Sequence, residues 1–309
     1  MTRVAALDCG TNSLRLLVVD LEADRATDVV RRMEVVRLGA GVDRTGRLAP
    51  EALARTFAVL DDYSEVIERL GVDAIRMVAT SATRDAANRD EFIAGVTERL
   101  GVAPEVVTGD EEAALSFAGA TRELRGRSGI EAPYLVVDIG GGSTEFVLGD
   151  QSGPAAARSV DIGCVRLTER HLVDDPPTAA QVDAARDDIE AAIEQAGEVV
   201  ALTDAQTMIG LAGSVTTVVA LALGLDHYDA DRIHHARVSA SDVHRVTTEL
   251  LAASRGERAA LPVMHPGRVD VIGGGALVLD TILRRLGFNE VVASEHDILD
   301  GIAFSLDSR

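Results

Sequence analysis

The chain has 309 residues, 47% of them apolar and 26% charged, enough for a buried core and for two domains of ordinary size. Acidic residues outnumber basic ones 50 to 30, so no global positive field draws in nucleic acid or an anionic membrane. All 30 basic residues are Arg, and without a Lys the P-loop NTPase mechanism is excluded, so a phosphate site must rest on metal ions, backbone N–H groups and local arginines.

Cys9 and Cys164 have no ligand spacing and read as inert core thiols, and with no secretory signal at the start the expected compartment is a reducing cytoplasm. The uncharged stretch Ala205–Leu225 is long enough for a membrane span, but its Gly, Thr, Gln and Ser content reads better as a buried strand, a Gly210–Gly213 turn and a buried helix.

In chain order, short β-rich runs at Val4–Leu7, Leu14–Val19 and Val29–Val36 predict a β-meander. Leu53, Phe57, Leu60, Ile67 and Leu70 share one helical face, started by Pro50 and stopped by Gly71. A strand at Ala74–Ala79, a helix at Asp90–Leu100, a strand at Glu105–Val107 and a helix from Asp110 to about Arg125 complete an α/β layer domain. The segment Arg122–Ala132 breaks the periodicity, which sets expected domains of 1–125 and 126–309, with the last helix able to return to the first domain. The pattern then restarts with strands at Tyr134–Asp138, Thr144–Leu148 and Ala156–Val160. A long helix after Pro177 carries Val182, Ala185, Ile189 and Ile193, and helices are expected at Ser214–Leu223, Ser241–Ala252, Pro266–Leu286 and His296–Leu306. Arg122–Ala132 and the segment before His296 are the expected hinges.

The restart is also a repeat. DCGTNSLRLLVVD at Asp8–Asp20 returns as DIGGGSTEFVLGD at Asp138–Asp150, 130 residues later, each reading as strand, Asp-x-Gly turn, strand. The expected fold is therefore a duplicated α/β pair flanking a cleft, with one anion loop from each half. Turns rich in Gly, Ser and Thr let successive N–H groups point at one anion, as Thr11, Asn12, Ser13, Gly141, Gly142, Ser143 and Thr144 would. An Asp ending the preceding strand offers a hard oxygen for Mg²⁺, with Mn²⁺ as an alternative, which makes Asp138, Glu145 and, as a further candidate, Asp8 the metal ligands.

These blocks, with ATSATRDA at Ala79–Ala86, TGDEEA at Thr108–Ala113 and GLAGSVTT at Gly210–Thr217, closely resemble those of the exopolyphosphatase and guanosine pentaphosphate phosphatase family, a branch of the actin-like ATPase superfamily with its ribonuclease H-like domains. The resemblance implies Glu112 as the general base that activates water and Arg84 as a bidentate phosphate grip. Read from spacing alone, Asp110 is an N-cap and Glu112 lies in the first helical turn, where its carboxylate suits the helix dipole. Arg15, after the first loop, and the Gly213-Ser214 turn before a helix are further phosphate-binding candidates.

The implied activity is Mg²⁺-dependent release of terminal phosphate from inorganic polyphosphate, with guanosine pentaphosphate or a nucleoside triphosphate as the alternative substrate. Longer family members carry a C-terminal helical extension, so short polyphosphate chains are the expected preference. VIGGGALVLD at Val271–Asp280 resembles the superfamily's adenosine-contacting glycine pair, which keeps a small-molecule kinase open, and a non-catalytic nucleotide sensor is a third option. His234 and His235, read as strand neighbours, point to opposite faces and are not expected to share a metal. A homodimer is compatible with the sequence and not required by it.

Overall fold

The computed structural model describes residues 2–22, 25–124 and 127–306. It divides into two compact units, Met1–Gly119 with Ile298–Arg309, and Ala120–Asp297. The boundary expected between residues 125 and 126 lies outside the described residues. The division falls instead in the last turn of a helix, Gly109–Thr121, and the C-terminal helix belongs to the first unit.

The first unit holds five strands, β1 (Thr2–Cys9), β2 (Ser13–Glu22), β3 (Arg25–Val35), β4 (Ala74–Ala79) and β5 (Glu105–Val106), in the order β3-β2-β1-β4-β5. The first three form the antiparallel meander, and β4 and β5 continue it in parallel. Its helices are α1 (Val42–Thr45), α2 (Pro50–Leu70), α3 (Ser81–Asp85), α4 (Arg89–Leu100) and α5 (Gly109–Thr121). Helix α2 runs between the expected signals: Pro50 opens it, and Gly71 at φ +62 ends it with its N–H on the Glu68 and Ile67 carbonyls. Its Leu53, Leu60, Tyr63 and Ile67 are buried in the core, each apolar side chain contributing roughly 1.5–3 kcal/mol of burial, while Phe57 and Leu70 pack at its margin.

The second unit repeats the plan with β6 (Tyr134–Ile139), β7 (Thr144–Asp150), β8 (Gly153–Val160), β9 (Thr207–Leu211), β10 (Arg237–Ser239) and β11 (Glu290–Ala293), ordered β10-β11-β9-β6-β7-β8. An antiparallel meander again lies beside parallel strands, with β10 added antiparallel at the far edge. Its helices are α6 (Cys164–Arg170), α7 (Ala179–Gly197), α8 (Ala212–Ala222), α9 (Ala230–Ile233), α10 (Ala240–Ala252), α11 (Arg255–Ala259) and α12 (Ile272–Leu286); α13 (Ile298–Phe304) follows in the first unit. Thr178 starts α7 with a reciprocal capping box to Gln181. Helix α13 inserts Ile298, Leu299, Ile302 and Ala303 against β1 and β2, and Gly301 lies so close to the Leu115 carbonyl that a Cβ would come within 2.0 Å of it.

Of three expectations, two differ from the structure and the one over Ala205–Leu225 holds. The helix expected over Pro266–Leu286 is a 3-10 turn at Pro266–Arg268 and then α12, because the Val269–Val271 stretch turns between them. Residues 205–225 are β9 and α8, and among the described residues no helix is long and apolar enough to cross a membrane. His234 is not in a strand: it ends α9, and His235 follows at φ +63, so their rings lie against one another, tilted by 41°, with centroids 3.6 Å apart.

Candidate phosphate site on the duplicated loops

The loop after β1 and the loop after β6 close in the same way. The Gly10 N–H donates to the Ser13 carbonyl at 3.0 Å, and the Gly140 N–H donates to the Ser143 carbonyl at 3.0 Å. In the second loop every glycine carbonyl is then drawn back toward α6. Gly140 accepts from the Cys164 amide at 3.0 Å, Gly141 from the Val165 and Arg166 amides at 2.9 and 3.1 Å, and Gly142 from the Arg166 Nε at 2.7 Å. A trans peptide holds its carbonyl and the following N–H on opposite sides, so the N–H groups of Gly141, Gly142 and Ser143 all face away from α6. Three successive donors on one side make an anion-binding concavity. Gly163, the N-cap of α6, must be glycine, since a Cβ there would lie 2.5 Å from the Gly141 carbonyl.

The first loop uses backbone from the end of its meander for the same purpose. The Thr11 carbonyl accepts from the Gly39 amide at 2.8 Å, and the Asn12 carbonyl from the Val36 and Arg37 amides at 3.1 and 2.9 Å. Arg37 sits at φ +51 to make that bond. The N–H groups of Asn12 and Ser13 are turned to the other side by the same planarity. The Thr11 hydroxyl lies 3.2 Å from that of Ser81, at the start of α3.

The carboxylates are placed by register. Asp8 and Arg15 are directly opposed across β1 and β2, and Asp138 and Glu145 across β6 and β7. Arg15 donates from Nε and Nη2 to the Asp8 Oδ2 at 2.9 and 2.6 Å. Glu145, only 1% exposed, accepts from the Ser159 hydroxyl at 2.7 Å. Two buried carboxylates facing one another attract a cation. Their hard oxygens fit Mg²⁺, which takes one or two protein carboxylates and keeps several waters.

At α5 the two consecutive glutamates separate. Thr108, and not Asp110, caps the helix: its hydroxyl accepts from the Glu111 N–H at 3.2 Å, and the Glu111 carboxylate accepts from the Thr108 N–H at 2.8 Å. Those bonds hold the exposed Glu111 carboxyl below the usual carboxylate range. Glu112 is buried, and its Oε2 accepts from the Arg84 Nη1 at 3.1 Å, a nitrogen that also donates to the Val107 carbonyl at 2.9 Å.

Gly213 and Ser214 lie in the first turn of α8, entered through Ala212 at φ +68. A Cβ on Gly213 would meet the Arg268 guanidinium at 2.3 Å, and Arg268 Nη1 donates to the Thr217 hydroxyl at 3.2 Å. Arg268 is thus a cation laid over the start of α8 that sequence reasoning missed. It is one more Arg in an irregular stretch 54 residues downstream of Ser214, and Arg166 and Ser159 were equally without signal. Burial pushes the Cys164 thiol up, partly offset by its bond to Ser214 and by Arg268 nearby.

The histidines form a separate node. Glu123, His234 and His296 are, among the described residues, the group whose donor atoms gather within 4.8 Å. The Glu295 N–H donates to the His234 Nδ1 at 3.1 Å, which leaves the proton on Nε2, the atom facing the Glu123 Oε2 at 3.4 Å. A protonated nitrogen offers no lone pair to a metal, so hydrogen bonding accounts for this contact.

The likeness to known proteins agrees with the loops. Residues 17–308 match the Ppx/GppA phosphatase family. The chain belongs to that family. It is 52% identical over 319 aligned positions to Exopolyphosphatase 2 of Mycobacterium tuberculosis H37Rv, covering 99% of each chain. A crystal structure of an exopolyphosphatase-like protein, 44% identical, matches with a TM-score of 0.96 over 100% of this chain and 99% of that one. An Aquifex aeolicus member of the Ppx/GppA family, 27% identical, matches with a TM-score of 0.81 over 100% of this chain and 99% of that one. Family membership makes the protein a hydrolase of phosphoanhydride bonds, built on two like α/β units.

Proposed function

We propose that the protein is an exopolyphosphatase that removes the terminal phosphate of inorganic polyphosphate by attack of water. The observation that carries the reading is the second loop. Three N–H groups turned to one side beside the paired carboxylates Asp138 and Glu145 suit a phosphate chain with its cation.

Asn12, Ser13, Gly141, Gly142 and Ser143 bind phosphate oxygens through their amides, assisted by the hydroxyls of Thr11, Ser13 and Ser143 and the first turn of α8 at Gly213 and Ser214. The Thr144 hydroxyl itself donates to the Ile162 carbonyl at 2.7 Å, so its part is to hold the loop. Glu112 accepts a proton from the attacking water, whose oxygen forms the new bond to the terminal phosphorus as the bridging oxygen leaves with the shortened chain. Arg84 holds Glu112 in place and neutralises negative charge beside it. Mg²⁺ held by Asp138 and Glu145, with Mn²⁺ as a substitute, would supply neutralisation of the phosphate oxygens.

Helix α12 supports polyphosphate over a nucleotide. A Cβ on Gly274 would lie 2.9 Å from the Cys164 carbonyl, and one on Gly275 would lie 2.1 Å from the Ser214 hydroxyl. The glycines that resemble an adenosine contact are spent on close packing against α6 and α8.

The test is phosphate release with Mg²⁺ from polyphosphates of graded length, guanosine pentaphosphate and ATP, side by side and with a chelator added. Release from polyphosphate above the others, abolished by the chelator, is the expected result. Preference for guanosine pentaphosphate would change the substrate and leave the chemistry. Transfer only to an added hydroxyl acceptor would sink the hydrolase reading.

A further inference from the structure

Arg166, the third residue of α6, holds two successive carbonyls of the second loop. Its backbone N–H donates to the Gly141 carbonyl at 3.1 Å, and its Nε donates to the Gly142 carbonyl at 2.7 Å. The second bond differs in kind from the amide bonds to Gly140 and Gly141, since its donor carries a charge. The Gly142 carbonyl belongs to the peptide whose nitrogen is that of Ser143. Planarity sets the Ser143 N–H opposite it, on the side where the loop offers its amides to an anion. A cation bonded to a carbonyl draws electrons from the peptide and leaves its N–H more positive, a cooperative strengthening of roughly 10–30% per bond. The Arg166 side chain is 11% exposed, so water screens its charge little. Asp161, 3.9 Å from the Arg166 Nη2, is 75% exposed and offsets little of it.

We infer that Arg166 is a positioning residue whose charge acts on the substrate through the backbone: bonded to the Gly142 carbonyl, it strengthens the Ser143 N–H as an anion donor. The inference rests on the reading of this loop as the phosphate site given above. It also answers a difficulty set by composition, that a chain with net charge −20 and no Lys must hold a polyanion. A guanidinium behind the loop adds positive potential there, while the face toward the anion stays lined by small groups that let phosphate oxygens approach.

The experiment separates charge from bracing with two variants of the full chain. Glutamine carries its amide nitrogen where arginine carries Nε, so Arg166→Gln keeps a donor to the Gly142 carbonyl and loses the charge, whereas Arg166→Met keeps the stem and loses both. The readouts are the Ser143 amide proton shift in ¹H–¹⁵N spectra, and kcat and KM for tripolyphosphate with Mg²⁺. The Ser143 proton should move upfield in Arg166→Gln and further in Arg166→Met. KM should rise about threefold to tenfold in Arg166→Gln and more in Arg166→Met, with kcat within about twofold of wild type, because a charged hydrogen bond is roughly twice as strong as a neutral one and the cradle binds ground and transition states alike. An Arg166→Gln protein with the wild-type shift and the wild-type KM would show that the residue only braces the loop, and overturns the inference. Thermal unfolding monitors both folds, and if Arg166→Met does not fold, Arg166→Gln decides. A wild type that releases no phosphate from tripolyphosphate would remove the substrate reading, and the Ser143 shift then decides: an upfield move in Arg166→Gln leaves the role of Arg166 standing, and no move overturns it.

Discussion

Arg84 donates to Glu112 at 3.1 Å from the same nitrogen that it gives to the Val107 carbonyl, so a backbone group just after β5 fixes the arginine that fixes the glutamate. The pair is partly shielded, with side chains 25% and 10% exposed. Replacing Arg84 by Gln removes a charged hydrogen bond worth about 1.5–3 kcal/mol. Steady-state kinetics should show kcat/KM for polyphosphate falling at least about tenfold, with the protein still folded.

Glu112→Gln keeps the shape and the hydrogen bond and loses the proton acceptor. Turnover should drop by about 10²–10⁴-fold with KM little changed. The neighbouring cap provides the contrast: Thr108→Ala should cost about 1 kcal/mol of stability in denaturant unfolding while turnover stays near wild type. Equal loss of activity in both variants would mean that the first turn of α5 matters only as structure.

Gly163→Ala tests the second loop without touching any donor. The new Cβ would lie 2.5 Å from the Gly141 carbonyl group and 2.7 Å from the Gly142 nitrogen, and neither backbone atom can swing aside. Overpacking of this kind costs about 1–3 kcal/mol. KM should rise as the amides lose their common direction, whereas Gly256→Ala, at a site with open space around it, should leave KM alone.

Burial, with His234 next to it, pushes His235 down to about 3. Both of its ring nitrogens are buried without a hydrogen-bond partner, which favours the neutral ring. A depressed histidine stabilises the fold fully above its unfolded value near 6.5 and loses that contribution as pH falls from there toward 3. His235→Asn, which tolerates the left-handed backbone at φ +63, should flatten the acid side of a Tm-against-pH curve. An unchanged slope would place the acid sensitivity elsewhere.

Much of the fold lay in local signals. Pro50 and Gly71 bounded α2, the 130-residue repeat announced two like halves, and the Asp-x-Gly turns marked the loops, because caps, turns and strand alternation are decided by neighbours in sequence. Asp138, Glu145, Glu112 and Arg84 were likewise legible as residues, through the motif blocks that contain them.

What each residue does with its neighbours was decided only in three dimensions. Asp8 and Asp138 look alike in sequence, yet cross-strand register gives one an arginine and the other a glutamate. Glu111 and Glu112 are adjacent, yet a helical turn sends one to the cap and the other inward to Arg84. Arg268 and Arg166 carried no local mark, because their roles come from a guanidinium reaching a glycine turn far away in the chain. Sequence by itself determined which groups the protein owns and how its chain turns; the tertiary structure decided their pairings, since electrostatics and hydrogen bonding act over a few ångströms whatever the separation along the chain.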